Sequence, residues 1–406
     1  MRQRSRASPP AGRWLALGVL ATGMLLGMAP WLSATAVLPE LQNAWHLAPG
    51  WGAWLTIAVQ LGFVAGALIS ATLNLADRVN PRRLMALGSI AAGLANLGLL
   101  GVHTPGAAIA VRLATGVCLA LVYPPAMKAM AAWFDRDRGL ALGVMVGALA
   151  LGSALPHLIN GLGGLAWAPV IATSSALSIA GGLIVLGLGR DGPLAFPSAP
   201  FDPRKAFIAL SNRGVRLACI GYWGHMWELY AMWAWFGVFF SQALAQAGIA
   251  EPQAWSALAS FACIGMGALG CLVAGRVADR WGRSRTTIVC MSVSGVCAAS
   301  VGWLAPLGWP VLLVIGAVWG VSVVADSAQF STLVTELGDQ ATIGSALTLQ
   351  LALGFALTAP SLWLIPWLAA HVGWGTAFLS LAIGPVIGMT AMGRLVPLER
   401  RVLVAR

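Results

Sequence analysis

Apolar residues run along this chain in stretches of about 20, divided by short polar breaks, and each stretch is long enough to cross a hydrocarbon layer about 30 Å thick as an α-helix. Twelve such spans are predicted, at 14 to 37, 52 to 75, 84 to 102, 107 to 128, 140 to 162, 167 to 189, 214 to 241, 254 to 276, 286 to 306, 309 to 333, 342 to 368 and 373 to 395. The fold class that follows is an all-α membrane protein of twelve transmembrane helices. Composition agrees: 59% of the 406 residues are hydrophobic and 9% charged, against about 25% charged in soluble domains. The opening MRQRSRASPPAGRW and the ATA at 34 to 36 resemble a secretory signal with its cleavage site. The apolar run between them is too long for a signal, and the repeat described below needs it as a first helix.

A net charge of +11 would suit a nucleic-acid partner, but the positions of the 24 basic residues give another account. With the N-terminus inside, all except Arg112 fall in or beside cytoplasmic segments, at 2 to 13, 78 to 83, 128 to 138, 190 to 216, 276 to 285 and 394 to 406. That is the positive-inside distribution. It predicts a multi-pass protein of the cell inner (cytoplasmic) membrane with both termini cytoplasmic, and no nucleic-acid partner. The six cysteines lie within or at the ends of apolar spans, without the spacing of metal ligands, and read as small core residues. No metal or cofactor is expected.

The sequence repeats itself. LNLADRVNPRR at 73 to 83 and GRVADRWGRSR at 275 to 285 share an Ala-Asp-Arg core 202 positions apart, each joining the second and third span of a six-span half. A weaker echo joins the fourth and fifth spans, WFDRDRGLALG at 133 to 143 and TELGDQATIGSAL at 335 to 347. Between the halves, RDGPLAFPSAPFDPRKAF at 190 to 207 is rich in proline and charge and contains no span. The expected organisation is an N-terminal six-helix bundle (1–189), a cytoplasmic linker (190–213) and a C-terminal six-helix bundle (214–406).

Twelve spans in two repeated halves with this loop resemble the major facilitator superfamily of secondary transporters. The resemblance implies two pseudo-symmetric six-helix bundles, with the loop as a conformational latch. Carried over by position, the latch comprises Asp77, Arg78, Arg82 and Arg83 in the first copy, and Gly275, Asp279, Arg280, Gly282, Arg283 and Arg285 in the second. The first copy departs from the family pattern at Leu73 and Asn80, where glycines are expected. RLATGVCLA resembles the family's arginine motif of the fourth helix, with Arg112 and Gly116 in place. The Gly-Pro pair that drug antiporters carry in the fifth helix is missing from GVMVGALALGSALPHLI at 143 to 159, which argues against antiport efflux.

Charged and polar groups inside the spans supply the candidate chemistry. An acid at the centre of a membrane helix costs about 2.5 to 3.5 kcal/mol on insertion scales and faces a cavity or a partner. Glu228 and Asp326 are such acids. His225 is three residues from Glu228 on a stripe with Tyr222, Met232 and Trp235, and the two can touch. Glu228, His225 and Asp326 are therefore proton-coupling candidates. Trp319, Ser322, Asp326, Gln329 and Phe330 share a face of the tenth span that should line water or another helix. Substrate-binding candidates are Arg112, Tyr123, Tyr222, Trp235, Ser322, Gln329 and Gln350; Arg112 either meets an anionic substrate or is tied to an internal acid. Gln60, His157 and Asn160 are further cavity polar groups, each open to reading as a helix-helix hydrogen bond. Pro30, Pro124, Pro125, Pro156 and Pro360 fit kinked, moving helices. Trp31, Trp45, Trp51, Trp54, Trp303 and Trp309 read as interface anchors.

The expected function is secondary active transport of a small solute by alternating access, with proton-coupled uptake of a small organic or inorganic anion as the leading form, by a monomer in a lipid bilayer. Efflux of amphipathic compounds is the alternative within that class. A membrane enzyme would need a metal cluster, a serine-histidine pairing or a phosphate-binding glycine loop, and none is found; a sensor or scaffold would normally add a soluble domain.

Overall fold

Helix starts follow local capping signals. Pro81, Pro105, Pro203 and Pro252 each stand in a first turn, where the missing N–H is no loss. The side chains of Asn80, Thr104, Asp202 and Asn212 accept from the first free N–H groups of their helices. The computed structural model describes residues 10–46, 51–134, 137–163, 166–194 and 201–404, without side chains beyond Arg401. The basic run before Pro10, Asp135 and Arg136 of the weaker echo, and linker residues 195–200 lie outside the described residues.

Twelve spans are present among the described residues. The first half holds α1 (Arg13–Gly27, resuming at Ser33–Ala36), α2 (Trp51–Thr72), α3 (Pro81–Leu97), α4 (Pro105–Leu119, resuming at Tyr123–Ala131), α5 (Arg138–Leu162) and α6 (Trp167–Leu188). The second holds α7 (Arg213–Gln246), α8 (Pro252–Trp281), α9 (Arg283–Val301) and α10 (Trp309–Ala325, resuming at Ser327–Leu337). Helical residues then run from Ile343 to Leu379 and from Ile383 to Val404. Gly373, at φ 86° and ψ 165°, divides the first of these runs, so α11 covers 343–372 and α12 covers 374–404. A φ in that region suits glycine alone.

The breaks have local causes. Pro30 interrupts α1 and Pro124 and Pro125 interrupt α4, since proline withholds the N–H that continues a helix. α10 is interrupted at Asp326 alone. The linker region contains a short helix, Pro203–Ala209, which packs on α11.

The two halves meet mainly along α5 against α8 and α2 against α11. Glycine permits the first of these contacts. A Cβ on Gly143 would stand 2.7 Å from the carbonyl of Cys271, and one on Gly275 would stand 2.8 Å from that of Gly139. Trp51, Trp54, Trp303 and Trp309 are partly exposed, as interface anchors should be, but Trp31 is fully buried. Its place is inside the protein.

Candidate functional site

The loop copies share one end of the molecule, here the basic end, and have become unequal. In the second copy the carboxylate of Asp279 sits against Gly139, the second residue of α5 in the other half; a Cβ there would lie 2.4 Å from Asp279 Oδ2. Arg283 gathers the neighbourhood, donating to Gln329 at 2.8 Å, to Glu336 at 3.0 Å and to Asp279 at 3.3 Å. Gly282 turns the chain at φ 97°, and Glu399 accepts from the N–H groups of Arg283 and Ser284 at the start of α9.

The first copy stays within its own half. Asp77 pairs with Lys128 of α4, and Arg82 donates to Asp191 at 2.9 Å and to the Val185 carbonyl at 3.0 Å. Asn80, at φ −52°, needs no glycine and caps α3 through Arg83 N. Arg78 and Arg280 are exposed, and Arg285 is half-buried.

Arg112 meets neither an anion site nor an acid. It is fully buried, and its guanidinium donates to the carbonyls of Leu55 (3.2 Å), Pro30 (2.8 Å) and Trp31, to Ser33 Oγ (3.3 Å) and to Asn96 Oδ1 (3.0 Å). The break after Gly27 takes α1 carbonyls out of the regular helical ladder, and the arginine fork of α4 donates to two of them, those of Pro30 and Trp31. Arg112 thus ties α1, α2, α3 and α4 together.

In the second half, His225 and Glu228 do not pair with each other. His225 Nδ1 lies 2.9 Å from Asp326 Oδ1, in a pocket shared with the rings of Tyr222 and Phe330. Glu228 accepts from Trp319 Nε1 at 2.6 Å and from Ser294 Oγ at 2.9 Å. Both face away from the first half. Tyr230 stacks on Trp31 of α1 at 5.6 Å, which fixes the side of α7 that meets the other half. At about 100° per residue, Glu228 stands about 160° and His225 about 140° around the helix from Tyr230. The acid and the imidazole therefore lie in the core of the second half, among the polar faces of α7, α9 and α10, where Glu228 is hydrogen-bonded and His225 Nε2 has no partner.

Three further expected solute contacts are otherwise engaged. Trp235 Nε1 donates to the Leu362 carbonyl, Ser322 Oγ donates to carbonyls of its own helix, and Gln329 belongs to the Arg283 cluster. Gln350 accepts from Ser331 through Oε1, and its Nε2 is buried without a partner. Tyr222 packs against Gly354 of α11, and Tyr123 opens the second segment of α4.

What lies between the halves is an aromatic box. Trp31 and Phe63 come from the first half, Tyr230 and Phe355 from the second. Phe63 and Phe355 are 4.3 Å apart between ring centroids, and Trp31 stands 5.0 Å from Phe63 and 5.6 Å from both Tyr230 and Phe355. Every one of these rings is buried. Gln60, about one turn from Phe63 on α2, is fully buried with both amide atoms unpartnered, as are the indole N–H groups of Trp31 and Trp233. An unmet polar group costs about 2–7 kcal/mol in an apolar environment, so such groups mark a place where a ligand can supply the missing bonds. Of the box residues the sequence singles out only Trp31, and as an interface anchor; its position next to Pro30 is the signal that points inward instead.

Residues 15–359 match the family profile described as Major Facilitator Superfamily. The chain is 30% identical over 155 residues to the puromycin resistance protein pur8 of Streptomyces alboniger, covering 38% of this chain and 30% of that protein. It is 29% identical over 220 residues to the multidrug efflux pump LfrA of Mycolicibacterium smegmatis (strain ATCC 700084 / mc(2)155), covering 51% of this chain and 42% of that protein. The alignments thus span less than half the length of both relatives. Among solved structures, a mutant of the nucleoside transporter NupG superposes with a TM-score of 0.70 at 16% identity, over 94% of this chain and 99% of that one. At that identity the likeness is one of fold.

Proposed function

Because the chain belongs to the Major Facilitator Superfamily, we propose that it is a proton-coupled exporter of small amphipathic solutes, which bind in the aromatic box as the two halves rock about it. The box is the observation that carries this reading. Aromatic faces receive flat ring systems with little regard to substituents, and they also favour cationic groups. Gln60 and the free indole N–H groups supply the few polar contacts that would orient a solute. The similarity to a puromycin resistance protein and to a multidrug efflux pump supports the same direction and carries more weight than the Gly-Pro pair missing from α5, which argues against antiport. Anion uptake would need a cation in the pathway, and the donors of Arg112 are occupied by the first half's own acceptors.

In this reading, Asp326, His225 and Glu228 carry the coupling protons indirectly. A proton gained or lost there changes the contact between α7 and α10, and with it the shape of the second half's inner face. Asp279 against Gly139 is the latch that holds the basic end shut. The charge distribution supports a cytoplasmic position for that end, with both termini inside an inner membrane, and the same reading divides the halves near 190–213 and takes a monomer as the working unit. The test is uptake of radiolabelled puromycin into inverted proteoliposomes with an imposed pH gradient. Accumulation that depends on the gradient and is lost in Phe63→Ala/Phe355→Ala is expected; a wild-type protein that never moves puromycin or any aromatic cation refutes the proposal.

A further inference from the structure

α5 carries a second set of unmet polar groups, which the aromatic box does not use. Ser153, His157 and Asn160 are 0%, 6% and 3% exposed, and Ser153 Oγ, His157 Nε2 and Asn160 Oδ1 have no hydrogen-bond partner. Spaced four and three residues apart, they form one stripe along the helix.

The neighbours of α5 fix where the stripe points. Gly143, Gly147 and Gly161 meet Cys271, Ala268 and Leu258 of α8, while Gly152 meets the Leu25 carbonyl of α1. Leu162, 73% exposed, marks the lipid side. At about 100° per residue, the stripe fills the sector between the α8 and α1 contacts that lies opposite Leu162. That sector opens on the space between the halves.

Depth follows from two contacts with α1. The Leu25 carbonyl lies beside Gly152, and Asn160 Nδ2 donates to the Ala36 carbonyl at 2.7 Å. Residues 152–160 of α5 therefore run alongside residues 25–36 of α1, with Trp31 between the two contacts. The stripe and the box share a level on the same broken helix.

We infer that Ser153, His157 and Asn160 form a polar subsite for the hydrogen-bonding end of the solute whose ring system occupies the box. The inference rests on the proposed role of the box and narrows it: the solute joins an aromatic body to a hydroxyl, amide or amine. The serine hydroxyl and imidazole can donate or accept, and the Asn160 oxygen accepts, already oriented by its N–H bond to Ala36. A ligand that fills the subsite without bonding to these groups is disfavoured, because they are then left unpaired, whereas a ligand confined to the box does not touch them.

Equilibrium dialysis on purified protein with two probes tests this. Puromycin has rings together with hydroxyl, amide and amine groups; tetraphenylphosphonium has rings and no hydrogen-bonding group. The Ser153→Ala/His157→Leu variant is expected to lose about tenfold or more in puromycin affinity and to keep tetraphenylphosphonium affinity within about twofold. His157→Gln, which retains a nitrogen donor, is expected to hold puromycin more tightly than His157→Leu. Unchanged puromycin affinity in the double variant overturns the subsite, and so does an equal loss of both probes, which assigns the stripe to packing. Wild-type binding of tetraphenylphosphonium without puromycin removes the subsite and leaves the box; binding of neither removes both.

Discussion

Replacing Arg112 with lysine separates a structural tie from a solute contact. The charge is kept, but five contacts spread over both edges of a guanidinium must be served by one ammonium with three donors and a shorter reach. At least two acceptors lose their partner. The Trp31 carbonyl, inside the α1 break, is the acceptor most affected by this loss. Transmembrane hydrogen bonds are worth about 0.6–2 kcal/mol each, so the substitution should cost about 1–4 kcal/mol. The free cysteines allow a direct assay, because Cys219, Cys263 and Cys297 are buried within the second half and react with a thiol-sensitive fluorophore on unfolding. Arg112→Lys should lower the melting temperature by several degrees while the folded fraction binds solute with unchanged affinity. An unaltered melting temperature together with a shifted affinity would refute the structural role.

Glu228→Gln and Asp326→Asn should abolish transport driven by a pH gradient while leaving equilibrium binding of an aromatic solute within about threefold, measured in proteoliposomes and by dialysis. Gly275→Ala places a Cβ 2.8 Å from the Gly139 carbonyl, a backbone atom that cannot step aside. It should open the basic end, read as faster maleimide labelling of Cys271 in the folded protein. Trp31→Ala removes a ring that touches three others and should weaken aromatic-solute binding by about tenfold, since aromatic pairs contribute about 0.5–1.5 kcal/mol each beyond area burial.

The spans are legible in the sequence because bilayer thickness imposes one length on every helix, and the loop repeat is legible because Asp77 and Asp279 sit in matching phrases. Orientation inside the bundle is not. A polar stripe in a membrane helix can be satisfied by water or by another helix, and a single sequence cannot tell them apart: His225 finds Asp326 a hundred residues away, and Glu228 finds Ser294 and Trp319. The stripe that reads as the pathway face of α7 is its core face. Arg112 is ambiguous for a related reason, since its partners are mainly backbone carbonyls, which leave no side-chain signature. Pro30 is the clue, because it marks a helix break, and the Pro30 and Trp31 carbonyls inside that break are the ones Arg112 binds. Breaks inside a span are not legible from hydropathy either: the first apolar run is continuous through 14–37, yet its helix stops at Gly27 and resumes at Ser33.

Two loops with the same Ala-Asp-Arg phrase do different work, one as a brace and the other as a clasp. Asp77 holds Lys128 on its own side, whereas Asp279 reaches the opposite lobe. A chimaera built from two first halves would keep its braces and lack the clasp at that end.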